Sequence, residues 1–171
     1  MLDSGSYHLS GATYDYDVIH ADQIAWYERV VTETNEAKYG LPFDALTADQ
    51  IIPSVVFFHI PLYEYQNAWD AWVESEKDPA MGSGEYRETA IYYGYYNSGF
   101  FDIAKALGST RGIYCGHDHI NDFAIYYEGI QLSYGVKSGR GIYHDQDMIG
   151  GQVVILADDG SVSVERIFEA Y

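Results

Sequence analysis

The amino-acid sequence predicts an α/β fold with a mixed sheet, and two observations support this class. Residues 54–59 form a continuous apolar run bounded by prolines, which is typical of a strand buried on both faces in a parallel or mixed sheet. Helical patterns alternate with apolar runs in the first part of the chain, whereas two hairpin patterns follow in the last third. This order favours a layered protein whose mixed sheet is followed by antiparallel hairpins at the C-terminus.

Three helices are predicted in the first two thirds of the chain. Residues 21–38 repeat apolar side chains at helical spacing, and Gly40 follows as a stop signal. Residues 64–75 carry three large aromatic side chains on one helical face. A third helix is expected to follow Ser98, whose hydroxyl can cap it, and to end at Gly108.

The strands after the third helix are predicted as one single strand and two hairpins. They are rich in Ile, Val and Tyr, and turn residues such as Glu128-Gly129 separate the members of each hairpin. The predicted segments are residues 111–115, residues 122–127 with 130–134, and residues 152–157 with 161–168.

The composition is that of one globular domain with an acidic surface. Of the 171 residues 47% are hydrophobic, and 26 acidic against 9 basic residues give a net charge of −17. Because affinity for a nucleic-acid backbone comes from clustered lysines and arginines, this composition argues against nucleic-acid binding through a basic patch. No stretch approaches the ~20 apolar residues of a membrane-spanning helix, and the opening residues do not follow a signal-peptide pattern.

Three histidines are the strongest candidates for chemistry. Gly116-His117-Asp118-His119 directly follows a predicted strand, and His59 closes the earlier apolar run. Two strand ends that both deliver imidazole indicate one metal site at one edge of a sheet. The alternative is a hydrogen-bonded loop in which Asp118, Asn121 and Asp122 serve only as turn residues.

Other kinds of metal site fit the spacing poorly. A structural zinc site needs four Cys or His ligands in close pairs, and the chain has one cysteine. The His-Glu-x-x-His helix of metalloproteases is absent. A cupin-type site would place its third histidine downstream of the His-x-His pair, whereas His59 lies upstream.

Phe58-His59-Ile60-Pro61-Leu62 and Gly116-His117-Asp118-His119 resemble the last two metal-binding blocks of the calcineurin-like metallophosphoesterases. The resemblance extends over nearly the whole chain and is most specific for the purple-acid-phosphatase-related branch. The further stretches that carry it are Leu2-Asp3-Ser4-Gly5, Asp22-Gln23-Ile24-Ala25-Trp26-Tyr27, Pro61-Leu62-Tyr63-Glu64-Tyr65, Glu88, Asn97-Ser98-Gly99-Phe100, Asn121-Asp122, Tyr134-Gly135 and Ser138-Gly139.

The resemblance implies the C-terminal half of a two-sheet α/β/β/α sandwich with a dinuclear metal centre between the sheets. It implies that His59 and His117 bind one metal ion and that His119 binds the other. The implied activity is hydrolysis of a phosphate-ester substrate, in which two cations clamp the phosphoryl oxygens. Imidazole and carboxylate ligands suit iron, zinc or manganese, and the sequence does not choose among them.

Side chains near these ligands are expected to support them or to bind substrate. A metal-bound histidine usually donates its second N–H to a carboxylate or carbonyl, so Asp118, Asn121 and Asp122 are candidates for that role. The Gly-rich loop at residues 136–144 carries Lys137 and Arg140, two of the 9 basic residues. These two cations are candidates for binding the substrate phosphate, although the glycines alone explain the path of the loop.

The chain departs from the family pattern in one large respect. The first three blocks of the family, a carboxylate-x-His, a Gly-Asp and a Gly-Asn-His-Glu or -Asp, are not found in these 171 residues. We therefore expect the chain to be the C-terminal portion of one phosphoesterase domain, spanning residues 1–171, and to hold at most one metal well. Without the bridging carboxylate two cations repel each other, so we expect the chain alone to be inactive.

The alternative is a non-catalytic domain, truncated or degenerate, that binds one metal or a protein partner. Eighteen tyrosines, clustered at residues 92–96 and 126–127, are typical of packing at a surface or a subunit interface. A half sandwich would also expose a sheet edge, so self-association is expected to be possible. A surface on which sugars or bases stack is a further interpretation of the tyrosines, but no other sequence feature supports it.

Overall fold

The computed structural model describes residues 1–10 and 13–169, and this part of the chain contains three α-helices and nine strands. The helices are α1 (Ala21–Tyr39), α2 (Glu64–Glu74) and α3 (Phe100–Leu107). The strands are β1 (Tyr7–Ser10), β2 (Thr13–Tyr16), β3 (Ser54–Phe57), β4 (Gly82–Ser83), β5 (Thr110–Cys115), β6 (Ala124–Tyr127), β7 (Ile130–Tyr134), β8 (Gly150–Leu156) and β9 (Val162–Phe168). None of the described helices is long and apolar enough to cross a membrane.

Five of the strands form one mixed sheet in the spatial order β3-β5-β7-β6-β4. β3, β5 and β7 run parallel to one another, whereas β6 pairs antiparallel with both β7 and β4. β1 with β2 and β8 with β9 form two separate antiparallel hairpins. The predicted class, an α/β protein with a mixed sheet and antiparallel hairpins at the C-terminus, is confirmed and is consistent with half of a metallophosphoesterase fold.

The centre of this sheet is the core of the molecule. Every residue of β7 is buried, and in β5 only Arg111 is partly exposed. Helix α2 contributes the fully buried Tyr65, whose hydroxyl donates to the carbonyls of Ile113 at 2.8 Å and Ser133 at 3.2 Å. Because each fully buried large apolar side chain contributes ~1.5–3 kcal/mol, this packing fixes the two central strands firmly.

Helix ends follow the glycine signals at their C-termini. Gly40 ends α1 with a φ of 66° and Gly108 ends α3 with a φ of 65°, both in the left-handed region that glycine adopts without strain. The prediction that Ser98 caps α3 is wrong. The capping position is Gly99, with a φ of 76° and no side-chain cap, because Asn97 Oδ1 accepts the Gly99 N–H at 2.9 Å and the chain turns there.

The predicted strand at residues 122–127 starts later, at Ala124 in β6. Asn121 and Asp122 lie before it because their side chains hold the neighbouring segment 85–88, as described below. The turn after β6 is as predicted, since Glu128 and Gly129 have φ values of 48° and 88°, as a tight hairpin turn requires.

Candidate metal centre

The three parallel strands deliver their carboxyl ends to one edge of the sheet. The Gly116 N–H, after β5, donates to the carbonyl of His59, after β3, at 3.1 Å. The Gly135 N–H, after β7, donates to the carbonyl of Cys115 at 2.7 Å. In open α/β sheets ligands bind outside the carboxyl ends of parallel strands, so the edge that carries the histidines is also the edge where a site is expected.

His59 and His117 lie side by side at this edge. His59 Nε2 and His117 Nδ1 are 3.2 Å apart, and the two rings are nearly perpendicular, at 88°. Two nitrogens that each lie ~2.0–2.1 Å from a tetrahedral cation are roughly 3.3 Å apart. The pair therefore has the spacing of two ligands on one metal ion.

The backbone of His117 is held in a strained conformation. Its φ is 76°, in the left-handed region that side chains other than glycine rarely adopt. Such residues persist where the surrounding structure fixes them, and they cluster at functional sites. Here the turn after β5 directs the His117 ring towards His59.

Both members of the pair are held in the neutral form. Burial, with smaller contributions from His59 and His119, lowers the pKa of His117 to about 4. Burial and the charge of His119 also lower the pKa of His59. Neutral imidazole is the form that binds metal, but the 3.2 Å contact is also a hydrogen bond, so one of the two nitrogens carries a proton that a bound cation would displace to the other nitrogen of its ring.

His119 lies at the same edge but has a different partner. Its Nδ1 lies 3.1 Å from the carbonyl of Tyr143, and a carbonyl only accepts, so Nδ1 carries the proton. The Tyr143 ring stacks on the His119 ring at 4.4 Å, and the Tyr143 hydroxyl donates to Glu88 Oε1 at 2.6 Å. The arrangement leaves His119 Nε2 as the nitrogen with a lone pair.

Asp118 is buried beneath the histidines. The Tyr134 hydroxyl donates to Asp118 Oδ2 at 2.5 Å, and Oδ1 has no hydrogen-bond partner among the described residues. Burial raises the pKa of Asp118 to about 6, and the hydrogen bond from Tyr134 partly opposes this. The structure therefore makes Asp118 part of the floor of the site, bonded to β7 rather than to a histidine ring.

Asn121 and Asp122 hold a neighbouring segment in place. Asn121 Oδ1 accepts the N–H groups of Arg87 at 3.0 Å and Glu88 at 3.1 Å, and Asp122 Oδ1 accepts the N–H of Glu85 at 2.6 Å. These contacts position Glu88, which binds Tyr143, whose carbonyl binds His119. Their support of His119 therefore passes through Glu88 and Tyr143, a chain of contacts that sequence reasoning missed.

The two basic candidates lie in different places. Lys137 lines a cavity of about 530 Å³ together with the three histidines and the Gly-rich loop. Arg140 is not among the described residues that line this cavity, and its Nη2 lies 2.9 Å from Glu169 Oε2. The structure thus brings Lys137, but not Arg140, to the histidines.

The fit of these residues to a metal centre is partial. His59 and His117 have the spacing of two ligands, and His119 presents a lone pair at the same edge. Within residues 1–10 and 13–169, however, no group of three or more His, Cys, Asp or Glu side chains is arranged to hold a metal ion. A complete ligand set would need groups besides those described.

Comparison with known proteins points to one family. No family model and no solved structure matches the chain. The Arabidopsis thaliana proteins named "Probable inactive purple acid phosphatase 14" and "Probable inactive purple acid phosphatase 29" are 31% and 30% identical over 88% and 83% of the chain. "Phosphatase DCR2" of Saccharomyces cerevisiae is 32% identical over 72% of the chain.

The chain is shorter than these relatives. It spans 34% and 33% of the length of the two plant proteins and 19% of the yeast protein. The similarity covers most of the chain, and it agrees with the fold and with the resemblance noted in the sequence. The chain is therefore a relative of the purple acid phosphatase-like proteins.

Proposed function

We propose that this chain carries the last two ligand blocks of a dinuclear metallophosphoesterase centre, and that the complete domain hydrolyses phosphate esters. The observation that carries the proposal is the 3.2 Å separation of His59 Nε2 and His117 Nδ1 at the carboxyl ends of parallel strands. The name of the yeast relative, "Phosphatase DCR2", supports the same reaction class.

In this proposal His59 and His117 hold one cation and His119 Nε2 faces a second. Iron, zinc and manganese all suit such ligands. Two bound cations would supply positive charge for the phosphoryl oxygens and lower the pKa of a water molecule. The residues of this chain add orientation: Tyr143 fixes the protonation of His119, and Lys137 adds a positive charge on the cavity wall.

We further propose that these residues hold one cation at most and do not turn over substrate by themselves. Two carboxylates that line the cavity each use one oxygen elsewhere, Asp118 Oδ2 with Tyr134 and Glu88 Oε1 with Tyr143. Among residues 1–10 and 13–169, no carboxylate is grouped with the histidines in an arrangement that could hold a metal ion. Two cations without an anionic bridge repel each other, which argues against a working dinuclear centre in this chain alone.

The test combines metal analysis with a turnover assay on the chain of residues 1–171. After exposure to manganese, zinc or iron and removal of excess metal, we expect about one bound ion per chain and no hydrolysis of p-nitrophenyl phosphate. His117→Ala removes one ligand and is expected to abolish metal retention, whereas His20→Ala, at an exposed histidine beside Asp17, is the matched control. Turnover that disappears in His117→Ala would overturn the claim of inactivity, and absence of any bound metal would overturn the proposed centre.

A second candidate function is a non-catalytic domain that binds one metal or a protein partner. The incomplete ligand set and the word "inactive" in the names of two relatives favour it. Strand β3 lies at the edge of the five-stranded sheet, where the Leu2 N–H already donates to the Phe57 carbonyl at 2.9 Å and a second copy could pair with the rest of the strand. Sedimentation at increasing concentration tests this: a dimer that Val55→Pro disrupts would support pairing at β3, whereas a monomer at all concentrations would contradict it.

A further inference from the structure

The cavity at the histidines has two lobes with different walls. The first is the space of about 530 Å³ beside Lys137 and the Gly-rich loop. The second, of about 510 Å³, is lined by four tyrosines, Tyr7, Tyr16, Tyr92 and Tyr143. The three histidines line both lobes, and each lobe has a volume within the ~300–1,000 Å³ typical of small-molecule sites. A ligand that reaches the histidines can therefore extend into either lobe.

The wall of the second lobe, here called the tyrosine lobe, is a connected set of rings. Tyr16 packs edge-on against His117, with ring centres 4.2 Å apart, and its ring centre lies 5.5 Å from that of Tyr7 and 6.2 Å from that of Tyr92. On the His119 side the ring of Tyr143 completes the wall. Aromatic faces and edges at these distances favour a flat ring as ligand.

Backbone hydrogen bonds fix this wall relative to the site. The Tyr92 N–H donates to Asp118 Oδ2 at 3.3 Å, and the Tyr95 N–H donates to the carbonyl of Tyr16 at 2.9 Å. These bonds fix the backbone at Tyr16 and Tyr92, and the hydrogen bond between the hydroxyls of Tyr92 and Thr89 at 2.8 Å also holds the Tyr92 ring before a ligand binds. Such preorganisation reduces the entropy lost on binding.

The charges decide how a phosphate ester would lie across the two lobes. Asp118 lines both lobes, whereas Glu88 lines only the tyrosine lobe, which has no lysine or arginine among its described lining residues. The other lobe contains Lys137 and the backbone of several glycines. A phosphate group is repelled from the first and attracted to the second, whereas an uncharged ring meets no such penalty in the tyrosine lobe.

We infer that the tyrosine lobe holds a flat aromatic group of the phosphate ester, while the phosphate lies at the histidines and Lys137. The inference rests on the proposed function, because it takes the position of the phosphate from it. It assigns Tyr16 and Tyr92 to substrate specificity, a role that the names of the relatives do not indicate. A small aryl ester and a nucleotide share this chemistry, since each carries a flat ring.

The inference is tested by binding, because turnover by this chain is not expected. Calorimetric titration of the full chain with excess MnCl₂ compares four probes: inorganic phosphate, glycerol 2-phosphate, phenyl phosphate and AMP. We expect the better of the two ring-bearing probes to bind about tenfold tighter than glycerol 2-phosphate. Tighter binding of phenyl phosphate would identify the substrate class as an aryl ester, and tighter binding of AMP would identify it as a nucleotide. Both outcomes support the inference that the tyrosine lobe holds an aromatic ring.

Substitutions distinguish the contribution of the tyrosine wall to binding from that of the phosphate site. Tyr92→Leu, and independently Tyr16→Leu, should lower the affinity for the preferred ring-bearing probe about fivefold to tenfold and leave that for inorganic phosphate unchanged. Tyr96→Leu is the control, because Tyr96 is similarly exposed but lies outside this cavity. Circular dichroism confirms that each variant is folded, and two independent positions keep the test valid if one variant is not.

The outcomes distinguish this inference from the proposed function. If inorganic phosphate binds but phenyl phosphate and AMP bind no tighter than glycerol 2-phosphate, the inference is overturned and the phosphate site stands. The same holds if both tyrosine variants bind the ring-bearing probes as well as Tyr96→Leu does. If no phosphate compound binds in the presence of manganese, both the phosphate site and the inference fall.

Discussion

The floor and the rim of the histidine site differ in what holds them. The floor consists of His59, His117 and Asp118, which directly follow the parallel strands β3 and β5, and of these three Asp118 is buried. The rim consists of His119 and Tyr143, held by contacts between loops, where the side chain of Tyr143 is 49% exposed. The difference indicates that pairing of the strands sets the positions of His59 and His117, whereas the position of His119 depends on a contact between loops.

The strongest test of the floor uses pH, because Asp118 is buried and its pKa is raised to about 6. An acid whose pKa is raised by folding binds its proton first in the folded state, so the folded state gains stability as pH falls from above 6 to below 4. Relative to Asp118→Asn, the unchanged protein should therefore gain up to about 3 kcal/mol in free energy of unfolding between pH 7 and pH 4. Urea unfolding in the presence of a chelator measures this.

The comparison with Asp118→Asn isolates one group. The lowered pKa of His117 acts in the opposite direction, since it costs stability as pH falls, but it is present in both proteins. A difference in unfolding free energy that does not change with pH would show that the pKa of Asp118 is not raised by folding, and the account of Asp118 as a buried carboxyl would then be wrong.

A matched pair of Tyr→Phe substitutions compares floor and rim directly. Tyr134→Phe removes the hydroxyl that donates to buried Asp118, and we expect a loss of about 2 kcal/mol in unfolding free energy at pH 7.5. Tyr143→Phe removes a hydroxyl that donates to Glu88 at the exposed rim, and we expect a loss of less than about 0.5 kcal/mol. Equal losses of unfolding free energy at the two positions would contradict the proposed difference between the floor and the rim.

Relief of the backbone strain at His117 is expected to change the free energy of unfolding by less than the substitutions of Asp118 and Tyr134. His117→Gly and His117→Ala both delete the imidazole, but only glycine adopts a φ of 76° without cost. The glycine variant should therefore be more stable than the alanine variant by about 1 kcal/mol, measured by urea unfolding. The same pair of substitutions at His59, which does not have a positive φ, is the control and should not favour glycine.

The sheet and the helices could be predicted because their signals are local. The apolar run before His59 marks the end of a strand, and the glycines after α1 and α3 mark the ends of those helices. The hairpin of β1 and β2 was missed, since its strands have four residues each and mix tyrosines with polar side chains. Ser98 was wrongly assigned as a cap because the side chain of Asn97 competes for the same turn.

The site, like the fold, could be predicted from the sequence only in part. His59 and His117 could be placed together from sequence, because carboxyl ends of parallel strands meet at one edge. The partner of His119 could not, since Tyr143 lies 24 residues further along the chain and is placed by Glu88 from a third segment. The roles of Asn121 and Asp122 also depend on contacts more than 30 residues away.

The most direct test of the central claim is zinc titration of four proteins by calorimetry: the unchanged chain, His59→Ala, His117→Ala and His119→Ala. We predict about one zinc ion per unchanged chain, at least a hundredfold weaker binding in His59→Ala and in His117→Ala, and a change of less than about tenfold in His119→Ala. Zinc binding that depends on His119 as strongly as on His117, or that survives loss of His59, would contradict the pairing of these two histidines on one ion.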